Sequence, residues 1–243
     1  MVAATDRPPA TYRPPATYRP LTIASGILAA AERTPDKIAL QEGERRLAYR
    51  QLAARIHQVG QAAIADPGLR PGDRAALVAG NCLEYAEIVA GLSAAGIAVA
   101  TVNPRQTAAE IAYIIADCGA RLVIADPARA ELLADLDLPS VEKRLVIGPD
   151  LDTWRDRAAA RDPGIDVQEW DAFAIPYTSG TTGKPKGVVL SHRSRVTTFF
   201  AMAAEYGCYG PDERYLALAP LFHGAGFAFA HAALYFGGFC EVL

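Results

Sequence analysis

Cysteine is scarce in this chain: Cys82, Cys118, Cys208 and Cys240 are the only four in 243 residues, far apart and without a C-x-x-C pair. That spacing excludes a disulfide framework, and no histidine joins them at zinc-ligand spacing. The thiols read as reduced core residues of a cytoplasmic protein. Neither charge sign dominates. With 24 Lys+Arg against 27 Asp+Glu, a formal charge of −3 and a pI near 5.8, the chain lacks the basic excess of a general nucleic-acid binder. The N-terminus has no apolar core of the signal-peptide kind. A G-x-G-x-x-G fingerprint is missing, and so is a G-x-x-x-x-G-K-[ST] loop, which argues against dinucleotide folds and P-loop NTPases.

What is present is a chain 51% hydrophobic and 21% charged, long enough for one large α/β domain or two small ones. Its longest uncharged run, Tyr215 to Cys240, has the length of a membrane span. Pro220, His223, Gly224, Gly226, His231, Gly237 and Gly238 interrupt it. It reads instead as a buried strand (YLALA), a glycine-rich turn, a small-residue helix and a last buried strand. Residues 1–20 carry RPPATY twice in tandem; proline at that density favours extended chain, so this stretch is expected to be a disordered leader. A proline-rich ligand for a partner domain is the alternative.

From Leu21 onward strands and helices alternate. Leu52, Ile56, Val59 and Ala63 fall at helical spacing, and RAALVAG follows as a strand with Asn81 opening the next helix. GIAVATV, RLVIAD and RLVIG are further strands, with Ile111, Ile114, Ile115 and Cys118 on one helical face and another helix near Pro127–Leu136. This rhythm predicts an α/β fold of mostly parallel sheets with helices on both faces. The expected division is a first sheet region over 21–147, a helical or irregular connection over 148–169, and the opening of a second sheet over 170–243.

The chemistry concentrates at Tyr177–Gly187, YTSGTTGKPKG, between strand-like AFAIPY and VVLSH. It holds three glycines, the hydroxyls of Thr178, Ser179, Thr181 and Thr182, the lysines Lys184 and Lys186, and no acid. Glycines let backbone N–H groups approach a ligand, and successive N–H and hydroxyl donors beside ammonium groups form an anion-binding concavity. The combination suits a polyphosphate; a solvated hairpin turn is the plainer alternative. Pro185 stands where a Walker loop has its hydroxyl, and the VVL run leads into a strand rather than a helix.

YTSGTTGKPKG resembles the signature loop of the adenylate-forming superfamily, which includes acyl-CoA synthetases, firefly-type luciferases and peptide-synthetase adenylation domains. LAYRQL near Leu47, the stretch from Gly72 to Ile124 with its NPR turn at Asn103–Arg105, and APLFHGAG at Ala219–Gly226 are similar to acid–CoA ligase segments as well. The resemblance thus runs from about Ile23 to Leu243. It implies that Thr178, Ser179, Gly180, Thr181, Thr182, Gly183, Lys184, Pro185 and Lys186 wrap the phosphates of ATP. It also implies that His223 sits beside the carboxylate and acyl group, with Phe222, Gly224 and Gly226 shaping the pocket. On its own, His223 reads equally as a core histidine, and His57, His192, His231, Asn103 and Arg105 read as structural.

The implied activity is that of an AMP-forming carboxylic acid–CoA ligase, with a carboxylic acid, ATP, Mg²⁺ and CoA as its small-molecule partners. The aromatic-Gly-x-Thr-Glu segment, the ribose-binding Asp and the C-terminal lysine domain of relatives match nothing in the 243 residues. FCEVL would also end the chain on an unpaired apolar edge. The expectation is therefore an N-terminal portion, inactive alone. Two alternatives stand beside it: a non-catalytic nucleotide-binding or interaction module, and an adenylation domain or acyl-AMP ligase that loads a carrier protein.

Overall fold

The computed structural model describes residues 19–178 and 184–243; the RPPATY repeats and Ser179–Gly183 lie outside them. A six-stranded sheet forms the centre. It is built from β3 (Arg74–Val78), β4 (Ala98–Val102), β5 (Leu122–Ala125), β6 (Lys143–Val146), β7 (Ala172–Ala174) and β10 (Leu190–Ser191). Their order is β10-β7-β4-β3-β5-β6, parallel throughout except for β10, which runs antiparallel to β7 at one edge.

Alternation along the strands explains why this sheet is covered twice. Ala75, Leu77 and Val99 point to one face, where α2 (Tyr49–Ala65) and α3 (Glu84–Ala94) pack. Ala76, Val78, Ala98, Ala100 and Val102 point to the other and meet Ile111, Ile114, Ile115 and Cys118 of α4 (Ala108–Cys118). The four α2 positions read from spacing, Leu52, Ile56, Val59 and Ala63, are all fully buried. Local signals set the helix ends. Thr107 and Glu110 form a capping box at the start of α4, and Gly119 closes it in the left-handed region at φ 65°. Asp126 caps α5 (Pro127–Leu133), whose first residue is proline.

The second sheet departs from the sequence reading. Its order is β11-β12-β1-β2, where β1 (Ile38–Glu42) and β2 (Arg45–Ala48) come from the start of the chain, and β11 (Arg214–Ala217) and β12 (Phe239–Val242) from its end. Within 172–191, β7 and β10 complete the first sheet instead of opening the second. FCEVL is no edge either, because β12 lies between β11 and β1 with Leu40 opposite Cys240. Periodicity reveals that such runs are buried strands, but not which strands they pair with.

The stretch expected to be helical or irregular begins as α6 (Pro149–Asp156), which sends Leu151, Trp154 and Arg155 into the core. Arg155 meets the fully buried Glu87 of α3 at 2.6 Å, and Arg55 of α2 reaches the other oxygen of Glu87 at 3.0 Å. One buried carboxylate thus ties three helices together, a geometry in which each charge needs its partner. All four cysteines are free; Cys118 and Cys240 are buried, and Cys82 and Cys208 half-buried. No helix among the described residues is long and apolar enough to cross a membrane.

Candidate functional site

Parallel strands place their carboxyl ends side by side, and crevices at that edge are where α/β sheets bind ligands. Here β4 and β7 are neighbours, and β7 stops at Ala174 because Pro176 cannot continue the ladder. Beyond Pro176 the chain forms a short hairpin, β8 (Tyr177–Thr178) against β9 (Lys186–Gly187), with Thr178 opposite Lys186. Val188 N–H donates to Pro176 O at 2.9 Å, closing its base. Thus the described residues flanking Ser179–Gly183 pair as two short strands standing off the carboxyl end of β7. VVLSH is not a continuous strand: Val188 and Val189 are exposed, and only Leu190 and Ser191 pair with β7.

Two contacts with α4 seat this hairpin. Tyr177 Oη donates to Asp117 Oδ2 at 2.6 Å, and burial together with that bond keeps the phenol neutral far above its ordinary range. Lys184 Nζ lies 5.4 Å from the centroid of the Tyr113 ring, a cation–π distance. Gly187 is required where the hairpin crosses Tyr177, since a Cβ there would come within 2.9 Å of Ile175 Cγ2 and 3.0 Å of Tyr177 Cζ.

The opposite wall comes from the turn after β11. His223 caps α8 (Gly224–Phe236): its Nδ1 accepts a long 3.4 Å bond from Ala225 N–H. The ring is exposed rather than packed in the core. Asn81 fixes this turn to the first sheet. Its Oδ1 accepts from Leu221 N–H at 2.8 Å, and its Nδ2 faces the carbonyls of Ala217, Ala219 and Leu243 at 3.1–3.3 Å. The expected role of Asn81 as a helix opener is therefore corrected: α3 starts at Glu84, and the amide is spent on joining the sheets. Replacement of Asn81 by Ala strands those groups, and a loss of about 1–3 kcal/mol is expected in urea unfolding.

Between these walls lies a cavity of about 710 Å³, lined by Thr178, Pro185, Phe222, His223 and Gly224 together with Thr101, Asn103, Gln106, Glu110, Pro176, Tyr177 and Val188. The structure thus brings together the described ends of the loop and three of the four acyl-pocket residues implied by the resemblance. Gly226 is not on the wall. It packs against the Ala219–Pro220 backbone, where a Cβ would meet Pro220 O at 2.2 Å. Ser179, Gly180, Thr181, Thr182 and Gly183 lie outside the described residues, while Lys184 and Lys186 are exposed beside the cavity.

Asn103 and Glu110 were not expected to face this cavity. Asn103 Oδ1 accepts from Arg105 N–H at 2.9 Å in a side-chain turn, so its turn role is present and the cavity wall is additional. Glu110 accepts from both Thr107 N–H and Oγ1 at 2.8 Å, bonds that hold its carboxyl below the ordinary range. The buried histidines are structural: Ile23 N–H donates to His192 Nδ1 at 3.0 Å, and His231 Nδ1 lies 3.1 Å from Phe227 O.

Residues 27–243 match the family model described as AMP-binding enzyme. The chain belongs to the AMP-binding enzyme family. Among curated members, it is 34% identical over 176 residues to the fatty acid–[acyl-carrier-protein] ligase ScoC of Streptomyces coeruleorubidus, covering 72% of this chain and 34% of that protein. It is 33% identical over 197 residues to a feruloyl-CoA synthase of Amycolatopsis sp., covering 80% and 38%. The chain therefore spans between a third and two fifths of the length of these relatives. Among solved structures, the inhibitor-bound N-terminal domain of FACL13 from Mycobacterium tuberculosis superposes with a TM-score of 0.84 at 28% identity. That match covers 90% of this chain and 56% of that domain. The sequence-level resemblance and the α/β architecture of mostly parallel sheets agree with these findings.

Proposed function

We propose that the chain forms the phosphate and acyl walls of an AMP-forming carboxylic acid–CoA ligase. The observation that carries this reading is the convergence of Thr178, Pro185, Phe222, His223 and Gly224 on one cavity at the carboxyl ends of β4 and β7. In the proposed reaction a carboxylate oxygen attacks the α-phosphorus of ATP, the bond to the β-phosphate bridging oxygen breaks, and pyrophosphate leaves. The thiol of CoA then attacks the acyl carbonyl, loses its proton, and displaces AMP. Negative charge grows on the departing pyrophosphate, so fixed donors and ammonium groups beside it lower the barrier. Thr178 through Lys186 are assigned that role, and His223 with Phe222 and Gly224 the placement of the acid. Gly226 serves indirectly, by allowing the turn that presents them.

Mg²⁺ is implied by the resemblance, yet among the described residues no group of three or more His, Cys, Asp or Glu side chains comes together as a metal site. The cavity carboxylate, Glu110, is already engaged by Thr107. No step is therefore assigned to the metal on these residues. CoA and a cytoplasmic location belong to the same reading. An acceptor thiol on a carrier protein is its variant, favoured by the likeness to ScoC.

Calorimetric titration tests the assignment. ATP is expected to bind the chain, and to bind more tightly in the presence of at least one acid from a panel of short, long and aromatic carboxylates. ATP binding that ignores every acid would overturn the ligase reading in favour of a nucleotide-binding module. Lys186→Ala is expected to weaken ATP by about 1.5–3 kcal/mol, the worth of a charged hydrogen bond. An unchanged ATP affinity would remove Lys186 from the phosphate site. The glutamate and lysine segments implied by the resemblance match nothing in this sequence, so the chain alone is proposed to bind without turnover.

A further inference from the structure

Arg195 stands on the first turn of α7 (His192–Tyr206) with its guanidinium directed behind the Phe222–Gly224 wall. Its one hydrogen bond among the described residues is weak, from Nη1 to Gly224 O at 3.4 Å. Its Nε is buried with no partner among the described residues. The surroundings are apolar: Cζ lies 5.9 Å from the Phe227 centroid, and Phe173, Leu190 and Phe222 line the same small void. Arg45, Arg55, Arg121, Arg155 and Arg193 all meet a carboxylate, but among the described residues no such ion pair forms at Arg195. Burial lowers its pKa.

A half-buried guanidinium whose Nε is shut off from water without a counter-charge among the described residues is costly, and its unused donors match a planar carboxylate. The void beside it, about 10 Å³, shares Thr101, Pro176, Phe222 and Gly224 with the main cavity. At that size it holds about one water, or a single ligand oxygen in its place. Gly224 has no side chain to close the passage; a Cβ there would lie 3.7 Å from Nη2. An anionic oxygen resting on Gly224 from the cavity side would therefore reach the guanidinium in a low-dielectric setting.

We propose that Arg195 selects the acid, and that the substrate class is a carboxylic acid bearing a second anionic group. One carboxylate pairs with Arg195 across Gly224, and the other stays beside His223 for activation. This rests on the reading of the cavity as the site for ATP and a carboxylate.

The test is calorimetric titration of the chain, with ATP present, using α,ω-dicarboxylates from malonate to suberate. Monocarboxylates and ω-hydroxy acids of the same carbon number are the comparison. At least one diacid is expected to bind at least about tenfold more tightly than its monoacid, the scale of one charge-assisted pair. Arg195→Met is expected to abolish that ratio and Arg195→Lys to retain part of it. A ratio near one in the wild-type chain, or the same ratio in Arg195→Met, overturns the proposal, and so does an ω-hydroxy acid that matches its diacid. Should Arg195→Met fail to fold, the wild-type ratio and Arg195→Lys decide. Failure of every acid to bind overturns the underlying reading of the cavity as well, so the two failures are distinct.

Discussion

Lowering the pH from 7.5 to 5 is expected to cost the fold about 4 kcal/mol through two histidines alone. Burial holds both His192 and His231 down at about 3, and Arg195 adds a smaller repulsion at His231. Each is neutral in the folded chain throughout this range. In the unfolded chain each returns to an ordinary value near 6.5 and takes up a proton as the pH falls below it. Stability is thus fully present above about pH 6.5 and declines towards pH 3, by about 1.36 kcal/mol per pH unit for each ring. Buried Glu87 acts in the opposite direction, because burial raises its carboxyl despite Arg55 and Arg155. His231→Leu separates the contributions: urea unfolding at the two pH values is expected to show half the histidine-dependent loss, about 2 kcal/mol less than in the unaltered chain. An equal loss in both chains would show that His231 titrates normally in the folded state.

Gly226→Ala is expected to be the most damaging small substitution at the cavity. The new methyl would lie 2.2 Å from Pro220 O, 2.7 Å from Pro220 C and 2.8 Å from Ala219 O. All three are backbone atoms, so no side chain can swing aside. Either α8 lifts from the turn or the turn deforms, and overpacking of this kind costs about 3 kcal/mol. The same turn carries Phe222, His223 and Gly224, so acid-dependent tightening of ATP is expected to vanish along with the stability. Gly224→Ala provides the contrast. Its Cβ would find Arg195 Nη2 at an ordinary 3.7 Å, and a stability change within about 0.5 kcal/mol is expected. Denaturant midpoints for the two variants decide the matter; similar values would mean that the close approach at Gly226 relaxes without strain.

Much of the architecture was readable because burial leaves a periodic trace. The strands β3 to β6 and the apolar faces of α2 and α4 lie where spacing placed them. The pairing of β1 with β12 was not readable, since nothing local in either run names its partner. The same limit applies at the site. The dense donors of Thr178–Lys186 announce an anion site by composition, and the PLFHGAG turn carries a resemblance. Thr101, Gln106 and Glu110 carry neither signal; they face the cavity only because β4 and β7 are neighbours. Asn103 reads from the sequence as part of a turn, a role that conceals its second one. Arg195 offered no clue beyond its charge, because a lysine or arginine near a helix start usually points to water. The missing hydrogen bond of its Nε becomes visible only once Phe222 and Phe227 surround it.

The second sheet also imposes a timetable. Strand β1 emerges early in synthesis, but its parallel partner β12 lies about 200 residues later. At about 5–20 residues per second, roughly 10–40 s separate the two. Over that interval the six-stranded sheet can assemble as its strands emerge, while the β1–β2 hairpin keeps one edge of hydrogen-bonding groups unclaimed. An isolated hairpin is marginal in water, so it must wait unfolded or lean on α2 until α8 and β12 arrive. Closing the cavity wall and pairing the waiting edge of β1 are then one event, and the nascent chain is most exposed to wrong strand partners just before it.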